Sequence, residues 1–154
     1  MPQLVSALKR PSDAIAPVLV LKLTRNVLHH GAVGLIRSLG RIGVPVFSVV
    51  EDRFTPPAVS KYLTASFTWD TRGLDVQRLL EGMAAIGDRL GRPAIVIPTD
   101  DVGAIFVAEQ ADTLKRWFLF PKLPTTLPRT LADKRALYGL CERIGVEPAI
   151  RRPA

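Results

Sequence analysis

The sequence predicts an α/β fold, with a parallel sheet of four or five strands and helices on both faces. Two observations indicate this class. Short, nearly continuous apolar runs recur along the chain, which is typical of strands buried on both faces. Between these runs, apolar residues repeat every three to four positions, as they do on one side of a helix. Because parallel strands are joined by right-handed helical crossovers, the alternation predicts three layers, with the sheet in the middle.

The first half of the chain supplies three of the predicted strands. Residues 18–23 form the first apolar run, and residues 31–39 follow with a helical pattern. Residues 44–50 form the second strand, with a proline near its start, where a missing N–H is tolerated. Pro56-Pro57 opens a short helical turn, and residues 65–69 form a third, weaker strand.

The second half continues the alternation. Residues 75–90 form the clearest helix, whose apolar positions are Val76, Leu79, Leu80, Met83, Ile86 and Leu90. Residues 94–98 form the fourth strand, and Thr99-Asp100-Asp101 caps a helix that runs to about Trp117. Residues 118–120 form a brief edge strand, and a proline-rich connection then leads to the last helix.

The last helix places a lysine beside its positive end. Thr130 and Asp133 have the spacing of a capping box, and Gly145 and Pro148 stop the helix. Lys134 therefore lies in the first turn, where it can meet a phosphate together with the helix N–H groups. Because cations prefer the other end of a helix, we expect an anionic partner there. The alternative is a surface lysine that pairs with Asp133.

Composition excludes several classes of protein. The 154 residues suit one domain, and 47% hydrophobic with 23% charged residues argues against disorder. No apolar run approaches the ~20 residues of a membrane span, and Lys9, Arg10 and Asp13 interrupt any secretory signal. The lone cysteine, Cys141, rules out an internal disulfide. We expect a cytoplasmic protein with no membrane partner.

The charge of +7 and the pI near 10.2 raise the question of nucleic-acid binding. The arginines are scattered, however, and no aromatic residues interleave with a basic stripe. Only Arg151-Arg152 forms a cluster. An acidic partner domain or nucleotide phosphates would account for the balance equally well. We therefore expect no nucleic-acid partner.

The loop after the first strand is the predicted substrate site, because ligands of parallel sheets meet the carboxyl ends of the strands. Its candidate residues are Arg25, Asn26, His29, His30 and Gly31, which offer side-chain and backbone donors to an anion. The glycine spacing matches neither G-x-G-x-x-G nor a P-loop. The alternative is a surface loop with glycines for helix–strand packing.

Two acidic pairs follow other strands of the same edge. Glu51-Asp52 stands where dinucleotide-binding folds have a ribose contact, or else is only a polar exit from the sheet. Asp100 is a helix cap that can also touch a substrate. The two histidines have no cysteine cluster beside them, so we expect no metal site. No serine lies in a G-x-S-x-G elbow, and we assign no catalytic residue.

The pattern resembles the N-terminal, pre-ATP-grasp domain of ATP-grasp carboxylate–amine ligases, close to the carbamoyl-phosphate-synthase-like branch. The resemblance rests on residues 97–101, Ile-Pro-Thr-Asp-Asp, on Ala132-Asp133-Lys134 and on residues 145–148, Gly-Val-Glu-Pro. It covers about residues 17–148 and implies a Rossmann-like fold. It also implies that ATP phosphorylates a carboxylate and that an amine or similar nucleophile attacks the acyl phosphate.

The resemblance gives Lys134 a contact with the ATP phosphates. It implies ATP and Mg²⁺ as cofactors of the full-length protein, neither bound tightly by this chain, which lacks the glycine-rich lid, the second lysine and the metal ligands. The partners it implies are a downstream ATP-grasp domain, in the same or a split chain, and a carboxylate or amine substrate. A homodimer is left open.

We therefore expect four segments. Residues 1–16 are a loose N-terminal arm, residues 17–128 the Rossmann-like domain, residues 129–148 a junction helix leading to an absent ATP-grasp domain, and residues 149–154 a truncated tail. The predicted function is that of the substrate-side domain of an ATP-dependent ligase, inactive alone. The alternative is a stand-alone Rossmann-like module for nucleotide binding or assembly.

Overall fold

A computed structural model describes residues 1–5, 15–24 and 30–147. These residues form a six-stranded sheet in the order β1-β4-β3-β2-β5-β6. Five of the strands are parallel, and β1 joins β4 antiparallel at one edge. The strands are β1 (Gln3–Val5), β2 (Val18–Leu21), β3 (Val46–Val50), β4 (Ala65–Thr68), β5 (Ala94–Pro98) and β6 (Phe118–Leu119). The α/β class and the parallel sheet predicted from the sequence are confirmed.

The prediction of a loose N-terminal arm is wrong for residues 3–5. Gln3–Val5 pairs with Ser66–Thr68 as the antiparallel edge strand β1. Its three residues are too short for a periodic signal, and the pairing depends on a strand more than sixty positions away. Residues 6–14 of the predicted arm lie outside the described part of the chain.

Helices lie on both faces of the sheet. They are α1 (His30–Arg41), α2 (Val76–Leu90), α3 (Asp101–Glu109), α4 (Ala111–Leu114), α5 (Leu127–Ala132) and α6 (Lys134–Ile144). Ala32 and Ile36 of α1 pack on one face of the sheet. Residues of α2, α3 and α4 pack on the other face, in the larger core cluster that contains Leu19 and Leu21. The alternation along β2 sends successive side chains to the two clusters.

The short helical turn predicted at Pro56-Pro57 is present between β3 and β4, where the Val59 N–H donates to the Thr55 carbonyl at 3.2 Å. Two other helical segments differ from the prediction. The helix expected to reach Trp117 is divided at Gln110 into α3 and α4. The last helix does not begin at Thr130: that residue lies inside α5, where its Oγ1 donates to the Thr126 carbonyl. Asp133 separates α5 from α6, and its side chain caps α6 alone.

The helical connections change from one face of the sheet to the other beside β2. β2 pairs with β3 on one side and with β5 on the other. α1, which follows β2, covers one face and α3, which follows β5, covers the other, so the carboxyl ends of β2 and β5 form the switch point of the sheet. This is where ligands of open parallel sheets bind.

Candidate functional site

Asp100 ties the carboxyl ends of β2 and β5 together at this switch point. Its Oδ2 accepts hydrogen bonds from the backbone N–H of Leu23 at 2.8 Å, the N–H of Thr24 at 2.6 Å and the Thr24 hydroxyl at 2.7 Å. Its Oδ1 accepts from the N–H of Gly103 at 2.7 Å and so caps α3. The carboxylate thus fixes the backbone where the predicted substrate loop begins. The predicted cap is confirmed, and a substrate contact for Asp100 stays a prediction.

Two threonines hold the same end of β2. The Thr99 N–H donates to the Leu21 carbonyl at 2.9 Å. The Thr71 hydroxyl, which follows β4, donates to the Leu23 carbonyl at 2.9 Å. Backbone groups at the end of β2 are therefore bonded from β5 and from the segment after β4. This gives the entry of the loop a fixed position on the sheet edge.

The four hydrogen bonds that the Asp100 carboxylate accepts are called the Asp100 clamp below. A partly buried ion pair lies beside it. The Lys22 ammonium is 2.5 Å from Oε1 of Glu51, and their side chains are 5% and 19% exposed. Lys22 directly follows β2 and Glu51 directly follows β3, so the pair joins the ends of two neighbouring strands. Sequence reasoning missed Lys22. The signal was a lysine that interrupts an otherwise apolar strand, which is costly to bury without a partner.

The predicted loop residues are only partly within the described structure. Arg25, Asn26 and His29 lie outside the described residues. His30 is the first residue of α1, and both His30 and Gly31 are exposed. The loop thus leads from the Asp100 clamp into an exposed helix start.

A further charged pair lies after β4. Arg72 donates to both carboxylate oxygens of Asp70, and this hydrogen bonding raises the pKa of the Arg72 guanidinium. Both side chains are exposed. Thr71, between them, reaches back to β2, so this pair belongs to the same carboxyl edge of the sheet.

Lys134 stands in the first turn of α6, as predicted. Asp133 precedes it and accepts a hydrogen bond from the Ala136 N–H at 2.7 Å, and Gly145 ends the helix in the left-handed conformation with φ 70°. Lys134 is exposed, and within the described residues neither a hydrogen bond nor an ion pair engages its ammonium. Asp133 acts as the helix cap, and the alternative pairing between Asp133 and Lys134 is not formed.

The helices α5 and α6 extend from the body through α3. α5 packs on α3 and α6 packs on α5. The Arg129 Nε donates to Oε1 of Glu109 at 2.8 Å, and this hydrogen bond lowers the pKa of the Glu109 carboxyl. Neither α5 nor α6 has a buried residue. From here on, the term arm refers only to these two helices, α5 and α6.

The described residues contain no group of three or more His, Cys, Asp or Glu side chains that could hold a metal ion. For a nucleotide, Lys134 and the start of α6 offer one cation beside free helix N–H groups. No described helix is long and apolar enough to cross a membrane.

Comparison with known proteins adds no identification: no family model, curated protein or solved structure matches the chain.

Proposed function

We propose that this chain is the substrate-side domain of an ATP-dependent carboxylate–amine ligase of the ATP-grasp type. In such an enzyme ATP phosphorylates a carboxylate, and an amine or similar nucleophile displaces the phosphate. The observation that carries the proposal is the exposed Lys134 in the first turn of α6, on a helix without a buried residue. Mg²⁺ would be held by residues of an ATP-grasp domain and not by this chain.

The arm supports the proposal because α6 offers a face for a second domain. Its apolar residues Leu137, Leu140 and Cys141 are only partly covered, and Ile144 is 62% exposed. An amphipathic helix contributes stability mainly by burying its apolar face. A neighbouring ATP-grasp domain would bury that face and bring its own phosphate-binding groups near Lys134.

The carboxyl edge of the sheet supports the substrate-side role. The Asp100 clamp fixes the start of the loop that contains Arg25, Asn26 and His29. In open parallel sheets this edge is where small ligands bind. The carboxylate or amine substrate would meet this loop while ATP meets Lys134.

The test is ligase activity of the natural reading frame. The first step is to determine the DNA sequence beyond the codon of Ala154 and that of the neighbouring genes. These sequences are searched for a glycine-rich phosphate lid, a second ATP-binding lysine and a late Glu/Asn pair that holds the metal. The protein that carries these elements together with this chain is then assayed for ADP release with carboxylates and amines. We expect ADP release that requires both substrates. Absence of those elements, or ADP release that is independent of both substrates, would contradict the proposal and favour a stand-alone binding module.

A further inference from the structure

A cavity of about 430 Å³, called the root cavity below, lies between β5, α3 and the start of α5. Its walls come from Val96 on β5, from Ala104 and Val107 on α3, from Phe120 after β6, and from Pro128 at the start of α5. This volume is within the range of ~300–1,000 Å³ that small-molecule sites occupy in proteins. The sequence pattern does not reveal this cavity, because its lining comes from three stretches of the chain that only the folded packing brings together.

The walls of this root cavity are mainly apolar, and its charged residues are three in number: Asp112, Lys115 and Lys122. Lys115 donates to Oδ1 of Asp112 at 2.8 Å. The hydrogen bond from Lys115, and more weakly the charge of Lys122, lowers the pKa of Asp112, and this carboxyl carries a negative charge at neutral pH. One lysine charge therefore offsets Asp112, and the lining retains one positive charge.

The chemistry of the lining defines the ligand class. An apolar wall accepts a hydrocarbon chain or ring, because removing apolar surface from water is favourable. The excess positive charge at Lys122 favours one anionic group on that ligand. A neutral or cationic ligand of the same shape lacks this attraction.

We propose that the root cavity binds a small carboxylic acid with an apolar chain or ring, whose carboxylate faces Lys122. Such a ligand contacts both the body, through Val107, and the arm, through Pro128. Its binding therefore stabilises the packing of the arm against the sheet. This proposal does not depend on the ligase function, since the described cavity belongs to this chain alone.

The test is isothermal titration calorimetry of the chain with octanoate and with 3-phenylpropionate, and octylammonium serves as the charge-reversed control. We expect saturable binding of at least one acid and affinity at least about tenfold weaker for octylammonium. Lys122→Gln, an exposed position that leaves the apolar wall intact, should weaken acid binding about fivefold and leave octanol binding unchanged.

Two further variants locate the binding. Ala104→Leu adds a larger side chain to the cavity lining and should weaken binding of the acid at least about tenfold. Ala85→Leu makes the same change at a partly buried position of α2 outside the cavity, and should leave binding unchanged. Circular dichroism verifies that each variant is folded. No saturable binding of either acid, equal affinity for octylammonium, or unchanged affinity in both Lys122→Gln and Ala104→Leu would overturn the proposal.

Discussion

Asp100 is the residue on which the carboxyl edge of the sheet depends most. One carboxylate accepts four hydrogen bonds, three from the end of β2 and one from the start of α3. Backbone N–H groups in this partly buried place need acceptors, and leaving them without partners costs free energy. The side chain therefore contributes to folding and also orders the entry of the predicted substrate loop.

We predict that Asp100→Ala lowers the free energy of unfolding by about 2–4 kcal/mol, from the lost cap and the unsatisfied N–H groups. Asp101→Ala is the matched control, because Asp101 is exposed in the first turn of the same helix. It should cost about 0.5 kcal/mol through the helix dipole alone. Urea unfolding measures both, and equal losses in the two variants would contradict the role of Asp100 as a clamp.

At this scale the sequence predicts local chemistry and misses distant partners. The spacing of Asp100 and Gly103 predicts the cap, since both lie in one helical turn. The bonds from Asp100 to Leu23 and Thr24 span 77 and 76 positions, and only the assembled sheet brings them together. The partner of Lys22 was missed for the same reason, because Glu51 lies 29 positions away on another strand.

At the scale of the elements, α2 meets the sheet through glycine and tryptophan. A Cβ on Gly82 would lie 2.2 Å from Cζ2 of Trp69, and Trp69 is only 4% exposed. A helix normally gains stability when Ala replaces Gly, by about 1 kcal/mol. Here the indole ring of Trp69 occupies the space that a Cβ on Gly82 would need. Packing therefore favours glycine at this position despite its low helix propensity.

Gly82→Ala should accordingly lower the free energy of unfolding by about 1–2 kcal/mol, because overpacking outweighs the gain in helix propensity. Gly34→Ala in α1 makes the same change in open space and should raise stability by about 0.5–1 kcal/mol. Thermal and urea unfolding give the two signs. A stabilising Gly82→Ala variant would show that Trp69 moves aside without cost.

The contact of α5 with α3 includes a titratable pair. The pKa of Glu109 is lowered, and the largest cause is its hydrogen bond with Arg129. A carboxyl whose folded pKa is lowered stabilises the folded state above its unfolded pKa, and that contribution is lost as the pH falls through the lowered value. Docking of α5 should therefore weaken only in acid.

We expect Arg129→Met to raise the pKa of Glu109 toward its ordinary value, as followed by the side-chain carboxyl carbon in an NMR titration. Lys122→Met is the control, since the lysine belongs to the cavity lining and has no bond with Glu109 among the described contacts. A Glu109 pKa that is the same in wild type and Arg129→Met would mean that the pair does not form in solution.

Element boundaries were less predictable than element types. The sequence predicts one helix from Asp101 to about Trp117, where α3 and α4 are present, and its capping-box spacing starts the last helix at Thr130, inside α5. Asp133 has extended backbone angles, φ −89° and ψ 115°, because it caps α6. Its cap was expected to act with Thr130, whose hydroxyl instead bonds to the preceding turn.

For the whole molecule, the sheet order explains where the two predicted ligand contacts lie. The loop after β2 begins at the Asp100 clamp, and α3 begins at the same residue. α3 carries the arm, and the arm carries Lys134. The alternation of strands and helices was sufficient to predict this parallel fold. The antiparallel edge strand and the root cavity depend on long-range packing that no local pattern reports.

The most direct test of the proposed function is the affinity for ATP of the full reading-frame protein, compared between Lys134→Ala and Arg135→Ala. Both residues are exposed neighbours in the first turn of α6, so the two changes alter charge equally. A charged hydrogen bond to phosphate contributes about 1.5–3 kcal/mol. We predict that Lys134→Ala raises the Kd for ATP by about ten- to a hundredfold, and that Arg135→Ala changes it less than about twofold. Equal effects of the two substitutions, or none from Lys134→Ala, would contradict the assignment of Lys134 to the ATP phosphates.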